Sequence, residues 1–64
     1  MKTETCKNIL KYVGTAPQYL TEIAMNPEFR GVHYAKIERA ANVLKSAGAV
    51  LFDGAQIKIV GNDL

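Results

Sequence analysis

The chain has one cysteine, one histidine, two prolines and no tryptophan in 64 residues. A lone Cys6 excludes an internal disulfide, and no cysteine pair exists for a zinc site. The ordinary role of such a residue is that of a small buried hydrophobe. No apolar run approaches the ~20 residues of a membrane span. The opening MKTETCKNIL alternates charged with apolar residues and has no apolar signal-peptide core. A cytoplasmic protein without a membrane partner is therefore expected. The glycines are single punctuators rather than a phosphate-cradling run. Glu4, Glu22, Glu28, Glu38, Asp53 and Asp63 show no pairing suited to acid–base work. No enzymatic activity, metal or cofactor is expected.

What is present is ordinary for a folded chain. Hydrophobic residues make up 48% of it, which argues against disorder. Residues 1–64 read as a single domain. A chain this short buries only about 60% of its unfolded surface, so each element needs an efficient buried face. Net charge is +2. Between Arg30 and Lys58 the cations Arg30, Lys36, Arg39, Lys45 and Lys58 outnumber Glu38 and Asp53. That local excess suits a polyanion, although a solvated surface carries it equally well.

Periodicity divides the chain into three helices and a hairpin. The first helix is expected from a cap at Thr3, with Cys6, Ile9, Leu10 and Val13 on one stripe. Gly14 is expected to stop it in the left-handed cap conformation. Thr15 and Gln18 fit a capping box for a second helix, with Pro17 in its first turn. Leu20, Ile23 and Ala24 are its buried stripe, and Asn26-Pro27 ends it. Asn26 to Val32 is a turn, with room for a helical turn at Pro27 to Phe29. Phe29 is its expected anchor, and Gly31 supplies freedom of φ. The third helix runs roughly from His33 to Ala47, with Tyr34, Ile37, Ala41 and Leu44 on one face, Ala40 beside them and Tyr34 packing at the core edge. Tyr12, Tyr19 and Met25 are expected to be partly buried. Gly48 closes the third helix. Asp53-Gly54 between two β-prone runs predicts a two-residue type I′ hairpin. It pairs Phe52 with Ala55 and Val50 with Ile57, placing these residues and Ile59 inside and Leu51, Gln56, Lys58 and Val60 outside.

The segment from Leu20 to Val60 resembles the winged helix-turn-helix family. The residues that carry the likeness are Leu20-Thr-Glu-Ile-Ala24, Ile37 to Leu44, the step Leu44, Gly48, Val50, and Asp53-Gly54 with Ile57 to Val60. The resemblance implies an α+β, mostly α, fold of three helices followed by a two-stranded β-hairpin wing. It also implies double-stranded DNA as partner, with the third helix in the major groove.

At about 100° per residue, the face opposite Ile37, Ala41 and Leu44 holds Ala35, Arg39, Asn42 and Ser46. Lys36, Glu38, Val43 and Lys45 flank it. Arg39 suits guanine, Asn42 suits adenine, Ala35 a thymine methyl, and Ser46 a phosphate or base. Arg30, His33 and Lys36 are candidates for the phosphate backbone, as are Lys58 and Gln56 on the wing. The plain alternative is a solvated face such as any soluble helix carries. Two functions follow. One is a DNA-binding transcriptional regulator or architectural factor of the phage or plasmid type, for which a homodimer would enlarge the small contact with DNA. The other is a winged-helix protein-interaction module, such as a small phage-encoded adaptor or inhibitor of a host protein. The exposed Leu51, Val60 and Val43 favour the second.

Overall fold

The computed structural model describes residues 4–60. The expected cap at Thr3 lies outside them. Helix α1 spans Glu4–Tyr12. Ile9 and Val13 are buried and Cys6 packs beside them, while Leu10 sits at the margin, 37% exposed.

Residues 14–20 correct the expected capping box. Gln18–Tyr19 is a strand, β1, and helix α2 begins only at Leu20 and ends at Ala24. Thr15 and Pro17 are exposed and cap nothing. The Gln18 Oε1 accepts from the Gly14 N–H at 3.0 Å. The segment is held extended by the far end of the chain. Ile59 N–H donates to the Gly14 carbonyl at 2.8 Å and Leu20 N–H to the Ala55 carbonyl at 2.9 Å. A side-chain cap contributes about 1 kcal/mol, which several new backbone bonds outweigh. Gly14 is also not left-handed: among the described residues the positive φ values belong to Gly31, Gly48 and Gly54.

Leu20 and Ile23 bury one side of α2. A 3-10 turn follows at Pro27–Phe29, with the Glu28 N–H donating to Asn26 Oδ1 at 3.0 Å. Phe29 is buried as expected, and Gly31 at φ +83° swings the chain towards the next helix. Helix α3 spans Tyr34–Ser46, with His33 and Ala47 as its caps. Ile37, Ala40, Ala41 and Leu44 are buried, and Tyr34 lies at the core margin, 38% exposed, as expected. The helix closes in a Schellman pattern. Gly48 N–H donates to the Lys45 carbonyl and Ala49 N–H to the Leu44 carbonyl, each at 3.0 Å, with Gly48 at φ +82°.

Strands β2 (Val50–Phe52) and β3 (Gln56–Ile59) form the expected hairpin in a different register. Phe52 pairs with Ile57 and Val50 with Ile59, two residues from expectation. The cause is Asp53, whose Oδ1 accepts from the N–H groups of Ala55 at 2.9 Å and Gln56 at 2.8 Å. This side-chain-closed loop replaces the two-residue turn. An even shift preserves the faces. Val50, Phe52 and Ile57 are buried and Leu51 is exposed, whereas Ala55 leaves the inner face. The hairpin is also not alone, because β1 pairs antiparallel with β3 and the sheet order is β1-β3-β2. The described fold is three helices and a three-stranded antiparallel sheet, an α+β arrangement that is mostly helical. Its buried residues form one cluster.

Two predictions follow from the two kinds of glycine and from Asp53. Gly48→Ala forces an L side chain into the left-handed region and is expected to lower stability by about 1–2 kcal/mol in urea unfolding. Gly14→Ala is expected to be near neutral, since its nearest neighbour would be Gln18 Oε1 at 3.8 Å. The N–H groups of Gln56 and Ala55 hold the Asp53 carboxyl below its ordinary value. Its stabilising effect is thus fully present above that ordinary value and fades as pH falls through the folded one. Thermal unfolding of Asp53→Ala should show a deficit at neutral pH that shrinks in strong acid.

Candidate nucleic-acid interface

The buried stripe of α3 dictates what its other side presents. Ala35, Lys36, Arg39, Asn42, Val43, Lys45 and Ser46 are all exposed, and Glu38 is half-buried at the edge. The candidates on this helix therefore share one continuous surface. Arg30 and His33 are exposed just ahead of it. His33 occupies the cap position of α3 without a side-chain capping bond. Its carbonyl accepts from the N–H groups of Lys36 at 2.9 Å and Ile37 at 3.2 Å. His33 at the cap and Lys36 in the first turn of α3 thus stand at the positive end of the helix dipole, and Arg30 precedes them in the chain. A shallow hollow lined by Gly31, Val32, His33 and Tyr34 lies at the same end.

Lys58 is not brought to this surface. It sits cross-strand from Leu51, and alternation with buried Ile57 puts it on the sheet face turned away from the core. Gln56 shares that face, opposite Tyr19.

Electrostatics distinguishes the α3 surface further. Among the described residues the ion pair is Lys11 with Glu28, at 3.2 Å, and no carboxylate pairs with Arg30, Lys36, Arg39 or Lys45. Asn42 is engaged: its Nδ2 donates to the Glu38 carbonyl at 3.1 Å. Its Oδ1 and second N–H stay available, so the amide can present one acceptor and one donor outward. Partial burial pushes the Tyr34 phenol above its ordinary value, and the Glu38 charge adds to the shift.

A further cluster joins α1 to the 3-10 turn. Tyr12 Oη donates to Glu28 Oε1 at 2.6 Å, and Lys11 Nζ donates to Glu28 Oε2 at 3.2 Å. The Tyr12 ring meets Phe29 edge-on, with centroids 6.3 Å apart and planes at 66°. Lys11 Nζ stands 5.9 Å from the Tyr12 ring centre. The Tyr12 hydroxyl, and then Lys11, hold the Glu28 carboxyl below its ordinary value. The same hydrogen bond, with burial and the Glu28 charge, raises the Tyr12 phenol. The partners stand too far apart in sequence for any helical or strand period to link them.

Among the described residues no three histidine, cysteine or acidic side chains gather to hold a metal ion. No helix there is long and apolar enough to cross a membrane. In comparison with known proteins, the chain matches no family model, no curated protein and no solved structure.

Proposed function

We propose that the chain binds double-stranded DNA as a small winged helix-turn-helix regulator or architectural factor, with α3 in the major groove. The observation that carries this reading is the outer face of α3. Lys36, Arg39 and Lys45 stand exposed on one helix without paired carboxylates. That helix is 13 residues long, and its diameter with side chains, about 10–12 Å, suits the roughly 12 Å width of the groove. The order of α2, turn, α3 and hairpin supports it as well. In this reading Arg39 forks onto guanine and Asn42 pairs with adenine, each supplying roughly 1–3 kcal/mol of discrimination. Arg30, His33 and Lys36 bind phosphates beside the helix dipole, and Ser46 and Lys45 extend the contact along α3. Lys58 is the hairpin's candidate for a more distant phosphate. One module of this size buries about 600–1,000 Å² on DNA, so a homodimer on paired half-sites would strengthen binding.

A second reading is supported by the outer sheet face. Tyr19 is 52% and Leu51 54% exposed there, correcting the expectation that Tyr19 is partly buried. Together with Pro17 and Lys58 they make a surface suited to a host protein. Capture from nuclease-treated host lysate of one protein whose retention is lost in Leu51→Asp would favour this reading. No effect of Leu51→Asp, alongside a retained DNA shift, would favour the first.

The DNA reading is tested by salt titrations on random and selected duplexes. Arg39→Ala is expected to relax sequence preference at one position by roughly 1–3 kcal/mol. Lys36→Ala is expected to weaken all duplexes alike and reduce the salt slope by about 1. Absence of any duplex binding at low salt would remove the proposal.

A further inference from the structure

We infer that Tyr12 and Glu28 are positioning residues: their hydrogen bond clasps the 3-10 turn onto α1 and thereby sets where Arg30 stands ahead of α3. The purpose of the clasp rests on the DNA-binding reading, whereas its mechanics do not.

The turn carries its own cap, the Glu28 N–H on Asn26 Oδ1, and α1 adds an external hold to it. Helix α2 is only five residues long, and neither Tyr19 before it nor His33 before α3 provides a side-chain cap. Glu28 is the middle residue of the turn, and both of its carboxylate oxygens are taken by α1, one by Tyr12 and one by Lys11. The edge-on contact of Tyr12 with buried Phe29 fixes the next residue to the same helix. From there a chain of short bonds runs towards α3. Phe29 N–H donates to the Asn26 carbonyl at 2.9 Å, Arg30 N–H to Pro27 at 3.0 Å and Val32 N–H to Phe29 at 2.9 Å. A displacement at Glu28 is therefore passed to Arg30 and on to Val32. Only Gly31, at φ +83°, offers an easy pivot between them.

The clasp also manages a charge. Glu28 lies two residues from Arg30, where a free carboxylate would repel phosphate. Lys11 and Tyr12 turn it towards α1, into a hollow also lined by Glu4, Lys7, Asn8 and Leu10. Its negative charge is matched there by Lys11.

Tyr12→Phe tests this, since it removes the hydroxyl and keeps the ring on Phe29. Amide exchange is measured on the intact chain without DNA, and duplex affinity is measured across salt concentrations. Exchange at Phe29, Arg30 and Val32 is expected to rise about three- to fivefold, as for loss of one exposed charge-assisted bond, with Ala41 and Leu44 unchanged. Affinity should fall by a smaller factor, since it follows the closed fraction of the turn, with an unaltered salt slope because no phosphate contact is removed. Glu28→Gln keeps an acceptor for Tyr12 and should leave turn exchange nearer wild type than Tyr12→Phe does. Unchanged turn exchange, or a rise spread evenly over the helices, would overturn the clasp. Faster turn exchange with unchanged affinity would overturn its positioning role. A wild-type chain that binds no duplex would overturn the DNA reading and that role together, and the exchange arm would still decide the clasp.

Discussion

Ala40 and Ala41 occupy the seam where α1 lies against α3. Ala41 is fully buried, Ile9 from α1 is fully buried, and Cys6 Sγ stands 3.8 Å from the Ala40 carbonyl oxygen. Small side chains at these two positions let the backbones approach. A larger residue would force the helices apart, at about 1–3 kcal/mol for an overpacked core. A domain with a single core has no second place to absorb such a shift. The seam also fixes the rotation of α3 about its own axis. Arg39, Asn42 and Ser46 face outward because Ile37, Ala41 and Leu44 cannot turn away from α1 and the sheet. The proposed recognition face is in this sense a consequence of packing.

Strand β3 plays the complementary part. It lies between β1 and β2 and so ties the connection after α1 to the end of the chain. Hydrogen bonds to Gly14 and Leu20 stop α2 from starting early and leave it one short turn and a half. The polypeptide between β1 and α3 is consequently a compact piece whose internal bonds are all short-range. Phe29 anchors it from within, and the Tyr12–Glu28–Lys11 cluster anchors it from outside.

Local chemistry made much of this legible in advance. The limits of α3, the closure at Gly48, the anchor Phe29 and the inner faces of both hairpin strands follow from periods and from turn residues. The candidate face of α3 follows from the same period, and strand alternation gives the outward side of Lys58 but not its distance from that face. What was not legible depended on partners distant in sequence. Thr15 and Gln18 satisfy a helix cap locally, and only pairing with β3 draws them into an extended segment. Asp53-Gly54 locally favours a two-residue turn, but the Asp53 carboxylate closes a longer loop. Tyr12 and Glu28 carry no mark of one another. Met25, expected to be partly buried, is 80% exposed at the end of α2.

The central claim is that α3 and the turn before it meet duplex DNA. Its most direct test is a titration of the isotope-labelled chain with duplex at low salt, followed residue by residue by NMR. The account predicts shift changes at Arg30, His33, Lys36, Arg39, Asn42, Val43 and Ser46, with the outer sheet residues Tyr19 and Leu51 little affected. Changes confined to Tyr19, Leu51 and Lys58, or no changes at all, would contradict it.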